Sequence, residues 1–335
     1  MTTSSKTLSG IQPSGVLHIG NYLGAVRQWV DQQGDVDAML MVADGHVITI
    51  PHARDALRSR TLDTAASLLA CGLSPDQVSV FVQSAVPAHT QLAWILMSLA
   101  RVGELSRLGH FADKAERHGA SMALLGYPTL QAADILLYDA DEVPVGEDQT
   151  QHLELARDLA IRFNNVYGET FVVPKLVVPA AAGRVMDLTK PTQKMSKSAS
   201  SVQGAILLDD SPDVMVRKIR RAVTDGGRVV KPGETGPGVR NLIELYAGVT
   251  GCDVETVEDR FAGRSYGQLK ERTAEAVVIA LAPIGRRLAE LRDERSYVTD
   301  VLRSGTQKAF ERSAHRLEAA CDAIGFLPID LRVVA

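Results

Sequence analysis

Cysteine is scarce in this 335-residue chain: Cys71, Cys252 and Cys321 lie far apart, and none stands in a CxxC or CxxH arrangement. That excludes a disulfide framework and a thiolate zinc site, and a reducing compartment is the simplest reading. His89, His110, His118, His152 and His315 show no metal-ligand spacing such as HExxH and read as structural or surface residues, so no metal is expected from protein side chains. No apolar run is long enough to span a bilayer, and the opening MTTSSKTLSG has no apolar signal core. The expectation is a cytoplasmic protein without a membrane partner. Excess positive charge is missing too. With a net charge of −4 and a pI of about 6.1, the whole chain is no nucleic-acid clamp, and any polyanion must meet a local basic patch. What is present is ordinary: 45% hydrophobic and 23% charged residues supply a core for one large or two moderate domains.

Short β-like runs alternate with helical stretches through the first half. Leu8 to Ile11, Asp37 to Ala43 and Val78 to Ser84 read as strands. Helices are expected from about Ile19 to Asp31, from Ala53 to Cys71 with Gly72 closing it, across Ala88 to Phe111, across Thr129 to Tyr138, and from Gly146 to Asn165. "DEVPVGEDQ" reads as a short strand leading into a turn, and "FVVPKLVVP" as a further β-rich stretch. That alternation predicts parallel βαβ units. Beyond Ser211-Pro212-Asp213, an N-cap followed by proline at the first helical position, the chain reads as helix broken by "KPGETGPG". The division expected is an α/β domain over 1–206 and an all-helical domain over 207–335.

Two stretches carry chemistry. "PSGVLHIGNYLG" (Pro13 to Gly24) crowds small and polar residues at the mouth of a helix, where free N–H groups favour anions. His18 can donate to a phosphate there, and Gly20 leaves room for a base or ribose. The stretch is neither GxGxxG nor GxxxxGK[ST], and alone it reads equally well as a glycine-rich turn. Lys194-Met195-Ser196-Lys197-Ser198 can neutralise a polyphosphate with two point charges, or be a solvated basic loop. Tyr127, Gln131 and Asp134 fall at i, i+4 and i+7 on one helix face, which is a polar cluster between helices unless a ligand meets it. In "VRKIRRAV", Arg217, Lys218, Arg220 and Arg221 form either a phosphate-binding patch or a solvated face.

Together the two stretches resemble the HIGH and KMSKS signatures of class I aminoacyl-tRNA synthetases. "SGIQPSG", "GNYLGA", "VPAH", "AADILLY", "VPVGEDQ" and "AVTD" resemble the bacterial tryptophanyl-tRNA synthetases in order and spacing from about Thr7 to Gly325. The resemblance implies a Rossmann-like parallel-sheet catalytic domain followed by an all-helical domain that reads the anticodon, working as a homodimer. It implies tryptophan activation with ATP and Mg²⁺, then transfer to tRNA(Trp), with no role for DNA. Gln12, Pro13, Ser14, His18, Gly20 and Asn21 would line ATP, with Asn21 standing in the signature's last position. Gly146, Glu147 and Asp148 would face the ribose, and Val185 the adenine. Lys114, Lys194 and Lys197 would hold the triphosphate, with Met195, Ser196 and Ser198 shaping the loop. Asp134 would accept the indole N–H, Tyr127 and Gln149 would take the α-amino group, and His46 would help at the polar end. Arg217, Lys218, Arg220 and Arg221 would meet tRNA phosphates.

Two positions depart from the family pattern. Gln131 stands where these bacterial enzymes usually carry methionine, and Leu8 replaces an aromatic residue beside the pocket. A polar amide there must find a partner or cost stability, and it raises an inhibitor-tolerant variant as a hypothesis. Three rivals stand beside the main reading: a tyrosine-specific synthetase, a small-molecule nucleotidyltransferase, and a catalytically silent paralogue that senses amino acid.

Overall fold

The structure, a computed structural model, describes residues 6–108, 111–140, 142–144, 149–177, 185–196 and 203–328, without the side chains of 112–114, 118, 142 and 144. Its centre is a five-stranded parallel sheet of β1 (Lys6–Ile11), β2 (Asp37–Val42), β3 (Val78–Val82), β4 (Glu142–Pro144) and β5 (Lys175–Val177), in the order β3-β2-β1-β4-β5. The order reverses between β1 and β4, the switch point at which open α/β sheets of this Rossmann type receive ligands outside the strands' carboxyl ends.

Helices α1 (Ile19–Asn21), α2 (Arg27–Gln32), α3 (Arg54–Ala70), α4 (Ala88–Met97), α5 (Val102–Leu105), α6 (Phe111–His118), α7 (Met122–Leu136) and α8 (Thr150–Tyr167) surround it. A helical segment then follows: α9 (Pro212–Arg220), α10 (Pro237–Thr250), α11 (Val254–Phe261), α12 (Tyr266–Asp293) and α13 (Arg295–Ile324). Among the described residues no helix is long and apolar enough to cross a membrane.

The sheet's period-two alternation divides the core. Leu40, Val42, Val78 and Val80 face a cluster shared with Val26, Leu68, Leu242 and Val277, so the helical segment packs on the sheet itself. Met39, Met41 and Phe81 face the opposite cluster, with Leu92, Leu136, Leu159 and Leu8, which is buried there. Helix α13 contributes Val298 to the first cluster and Ala309 to the second, crossing the edge strand β3. Its Gly305 permits the approach: a Cβ there would lie 1.9 Å from the Val80 carbonyl oxygen. One residue on, the Thr306 hydroxyl accepts the Val82 N–H.

Several expected boundaries shift. The helix expected from Ile19 to Asp31 is three pieces, with a π-turn over Tyr22–Val26 between α1 and α2. The stretch from Ala88 to Phe111 breaks after Met97 and α7 begins at Met122 rather than Thr129; α8 runs from Thr150, and the expected start at Gly146 lies outside the described residues. The earlier start of α7 has a local cause: the Ser121 hydroxyl caps the helix, accepting the Leu124 N–H at 3.1 Å. Ser211 stands at the N-cap position of α9 with Pro212 inside its first turn, though its hydroxyl makes no capping hydrogen bond, and Gly72 follows α3 at φ 107°.

Candidate active site

The first site element leaves β1 at the switch point. His18 caps α1: its Nδ1 accepts the Asn21 N–H at 3.3 Å, and Asn21 Oδ1 accepts the His18 N–H at 3.1 Å. An Nδ1 that accepts leaves Nε2 to carry the proton of the neutral ring. Gly20 is required by close approach, since a Cβ there would lie 2.9 Å from His18 Nδ1 and 3.6 Å from Val185 Cβ. A side chain at Gly20 would therefore press on the His18 ring. The same close approach brings Val185 beside the His18 turn. Gln12 and Ser14 are exposed around a buried Pro13, and Gly15 turns the chain at φ 86°. The turn is anchored by the segment after the lysine loop: the Ile19 N–H donates to the Ile206 carbonyl and the Leu208 N–H to the Leu17 carbonyl, each at 2.9 Å.

The second element is the hairpin carrying Lys194. Met186 bridges Lys194 in antiparallel fashion, the Asp187 N–H donates to the Gln193 carbonyl at 2.8 Å, and the Met195 N–H donates to the Val185 carbonyl at 3.1 Å. Val185 and Met195 are buried and Ser196 half-buried, while Lys194 is exposed and has no carboxylate partner among the described residues. Lys114 lies on α6, its side chain outside those described. Lys197, Ser198, Gly146, Glu147 and Asp148 lie outside the described residues.

The third element is a buried polar cluster on α7. Asp134, 2% exposed, accepts His89 Nδ1 on Oδ1 at 2.6 Å and His46 Nε2 on Oδ2 at 2.8 Å, and Gln83 Nε2 reaches both oxygens at 2.8 and 2.9 Å. Burial pushes the Asp134 carboxyl up, but the hydrogen bonds and charge of His46 and His89 outweigh it and hold the group down to about 2. His89 Nε2 meets the Tyr138 hydroxyl at 2.8 Å. In the neutral ring, with Nδ1–H given to Asp134, Nε2 accepts from the Tyr138 hydroxyl. Beside this cluster Tyr127 bonds His152 Nε2 at 2.8 Å, and burial pushes its phenol up. Gln131 Nε2 donates to Gln149 Oε1 at 3.2 Å, so the amide that departs from the family pattern does find a partner. Tyr127 also meets His46 edge-on, with ring centroids 6.2 Å apart.

The structure thus brings together Asp134, His46, Tyr127, Gln131 and Gln149. It adds Gln83, His89, His152 and Tyr138, which sequence reasoning missed as site residues. His89 and His152 are structural, as expected, but the groups they hold are the site's own. The signal for His89 was the "VPAH" string, where a histidine follows β3 at the mouth of a helix.

In the basic stretch, Lys218 is a correction. It is 3% exposed, with Nζ donating to the Ala205 carbonyl at 2.8 Å and to Asp210 Oδ2 at 2.6 Å. Helical periodicity turns it inward while Arg217, Arg220 and Arg221 line an open cleft with Asp213 and Val216. None of the three arginines has a carboxylate partner within ion-pair distance among the described residues.

Residues 2–282 match the family model of class I tRNA synthetases for tryptophan and tyrosine. The tryptophan--tRNA ligase of Mycobacterium leprae is 49% identical over 336 residues, covering 98% of each chain. Among solved structures, the tryptophanyl-tRNA synthetase of Mycoplasma pneumoniae superposes with a TM-score of 0.87 at 33% identity, covering 99% of this chain and all of that one. That of Campylobacter jejuni, complexed with ADP and tryptophan, gives a TM-score of 0.82 at 33% identity over 96% and 99% of the two chains. With the Rossmann-type sheet, the His18 turn at its switch point and the buried Asp134 cluster, these likenesses make the chain a member of the class I tRNA synthetases, in their bacterial tryptophan branch.

Proposed function

We propose that this chain activates L-tryptophan with ATP and transfers it to tRNA(Trp), through the residues assembled above. The observation that carries the reading is the ionised, buried Asp134 beside Tyr127, Gln131 and Gln149, in a chain whose full-length relatives are tryptophan ligases. An ionised carboxylate only accepts hydrogen bonds, which suits an indole N–H, a group that only donates. Its oxygens already take contacts from three side chains, so the indole displaces or shares with the least buried of them, His46. A side chain that lacks the N–H leaves that acceptor unpaired, which gives selectivity.

The first step is an in-line displacement. The tryptophan carboxylate attacks the α-phosphorus of Mg-ATP, an O–P bond forms, and the bond to the β-phosphate breaks, releasing pyrophosphate. The attacking group is already ionised, so no general base is needed. Positioning and charge supply the rate. His18 Nε2–H and the Lys194 ammonium serve the phosphates; Lys197 and Lys114 share that role, and the Mg²⁺ enters with the triphosphate. A terminal ribose hydroxyl of tRNA then attacks the adenylate's carbonyl carbon, and AMP departs.

Residues 207–335 form the part that meets tRNA, with Arg217, Arg220 and Arg221 as the phosphate contacts supported by their exposure and lack of acidic partners. A homodimer is supported by the exposed apolar side chains of Trp94, Met97, Val102 and Met122 on α4, α5 and α7. The test of the whole reading is ATP–pyrophosphate exchange with tryptophan, tyrosine and phenylalanine. Exchange driven by tryptophan alone is the expected outcome. Exchange with tyrosine assigns the pocket to the other amino acid, and none with any of the three points to the silent paralogue.

A further inference from the structure

Helix α10 carries none of the residues expected at the active site, yet it touches both elements that hold the phosphate-binding groups. At one end stands Asn241, 2% exposed. Its Oδ1 accepts the Met186 N–H at 2.9 Å and its Nδ2 donates to the Met186 carbonyl at 3.0 Å. One side chain therefore holds both polar groups of one backbone residue, and a flipped amide would put like against like at each contact. Met186 is the residue bridged to Lys194 across the hairpin. Seven residues further along, about 10 Å on a helix axis, the Gly248 carbonyl accepts Arg27 Nη1. The Leu23 side chain lies where a Gly248 Cβ would come within 2.9 Å of it. Leu23 and Arg27 stand on the π-turn and α2, directly after the His18 cap.

We infer that α10 is a strut setting the gap between the His18 turn and the Lys194 hairpin, and that Asn241 and Arg27, which pin its two ends, are positioning residues for tryptophan activation. The inference rests on the activity proposed above. A hairpin of this size has few hydrogen bonds of its own to fix the Lys194 ammonium relative to a triphosphate resting on His18. A displacement of about 1 Å costs such a reaction on the order of a hundredfold. Neither residue is within reach of substrate in this role; each acts through the backbone it holds.

The experiment measures kcat and both KM values for tryptophan-dependent ATP–pyrophosphate exchange. It uses the full-length wild type, N241L, R27M, K194A and the doubles N241L/K194A and R27M/K194A. N241L keeps the branched shape at a larger volume and loses both hydrogen bonds. It is expected to lower kcat about 10- to 100-fold, with KM for tryptophan within about twofold of wild type. In the K194A background the same change should cost less than about threefold, because the group it positions is gone. R27M, at the more exposed pin, should lower kcat several-fold with the same non-additivity, and decides the matter if N241L does not fold. Full additivity with K194A, a tryptophan KM that moves as much as kcat, or an unchanged kcat in the folded variants overturns the strut while leaving the activity standing. A wild-type chain that exchanges nothing overturns the activity and the strut together.

Discussion

Replacing His89 with leucine tests whether Asp134 is held as an anion by its neighbours. The variant keeps an apolar side chain of similar reach between Phe81 and Tyr138, whose rings lie 5.9 and 5.6 Å from that of His89. It removes a 2.6 Å hydrogen bond to a carboxylate that is 2% exposed. A hydrogen bond to a charged group contributes about 1.5–3 kcal/mol, and a buried group stripped of its partner costs about as much. Tyr138 retains only Ser313 of the two groups facing its hydroxyl. The expected loss of folding stability at pH 7 is therefore about 2–4 kcal/mol, read from urea unfolding. The pH dependence gives the sharper reading. Asp134 is depressed from 3.8 to about 2 in the folded chain, so its contribution is complete above pH 4 and is lost as pH falls toward 2. At ~1.36 kcal/mol per unit, that contribution is roughly 2 kcal/mol. In His89→Leu the folded carboxyl rises toward its ordinary value or above it, so the fall in stability between pH 4 and pH 2 should shrink. In exchange assays KM for tryptophan should rise with kcat little changed. A variant within 0.5 kcal/mol of wild type at pH 7, with the same acid profile, would refute the reasoning.

Lys194→Ala should lower kcat for exchange far more than it raises KM for ATP, and Lys197→Ala should behave alike; an equal or larger KM effect in steady-state kinetics would contradict a transition-state role. Arg220→Glu should weaken tRNA binding and flatten its salt dependence by about one unit of slope without lowering the melting temperature. Lys218→Met should do the reverse for Arg220→Glu's two readouts, destabilising the fold through the stranded Asp210 while sparing the salt slope. Gln131→Met breaks the bond to Gln149 and should change KM for tryptophan and the potency of a tryptophan-mimicking inhibitor; if neither moves, Gln131 is a neutral substitution.

The sheet and its two flanking sets of helices were legible because the strand signal is local: "DAMLMVA" and "VSVFVQS" are continuous apolar runs of the kind a doubly covered parallel strand requires. The steps of four and three residues on α7 were legible for the same reason, since helix periodicity places Tyr127, Gln131 and Asp134 on one face from spacing alone. What holds Asp134 was not. Gln83, His46 and His89 come from different segments, and nothing local distinguishes a histidine that orients a carboxylate from one packed in a core. Lys218 failed for a related reason. Four cations in five positions look like one patch in a string, but 100° per residue sends the second of them into the protein. The π-turn at Tyr22–Val26 carries no sequence mark of its own; it arises where α2 meets α10.

The crossing of β3 by α13 also orders events in time. Val82 is made 224 residues before the Thr306 hydroxyl that satisfies its N–H. At about 5–20 residues per second of synthesis, the strand waits on the order of 10 to 45 s, and longer while α13 clears the ribosome. Until then this apolar edge offers unpaired main-chain groups to any neighbouring chain. Helix α13, made long after β3, therefore serves as that strand's safeguard, and a chain ending before Gly305 would carry the open edge permanently.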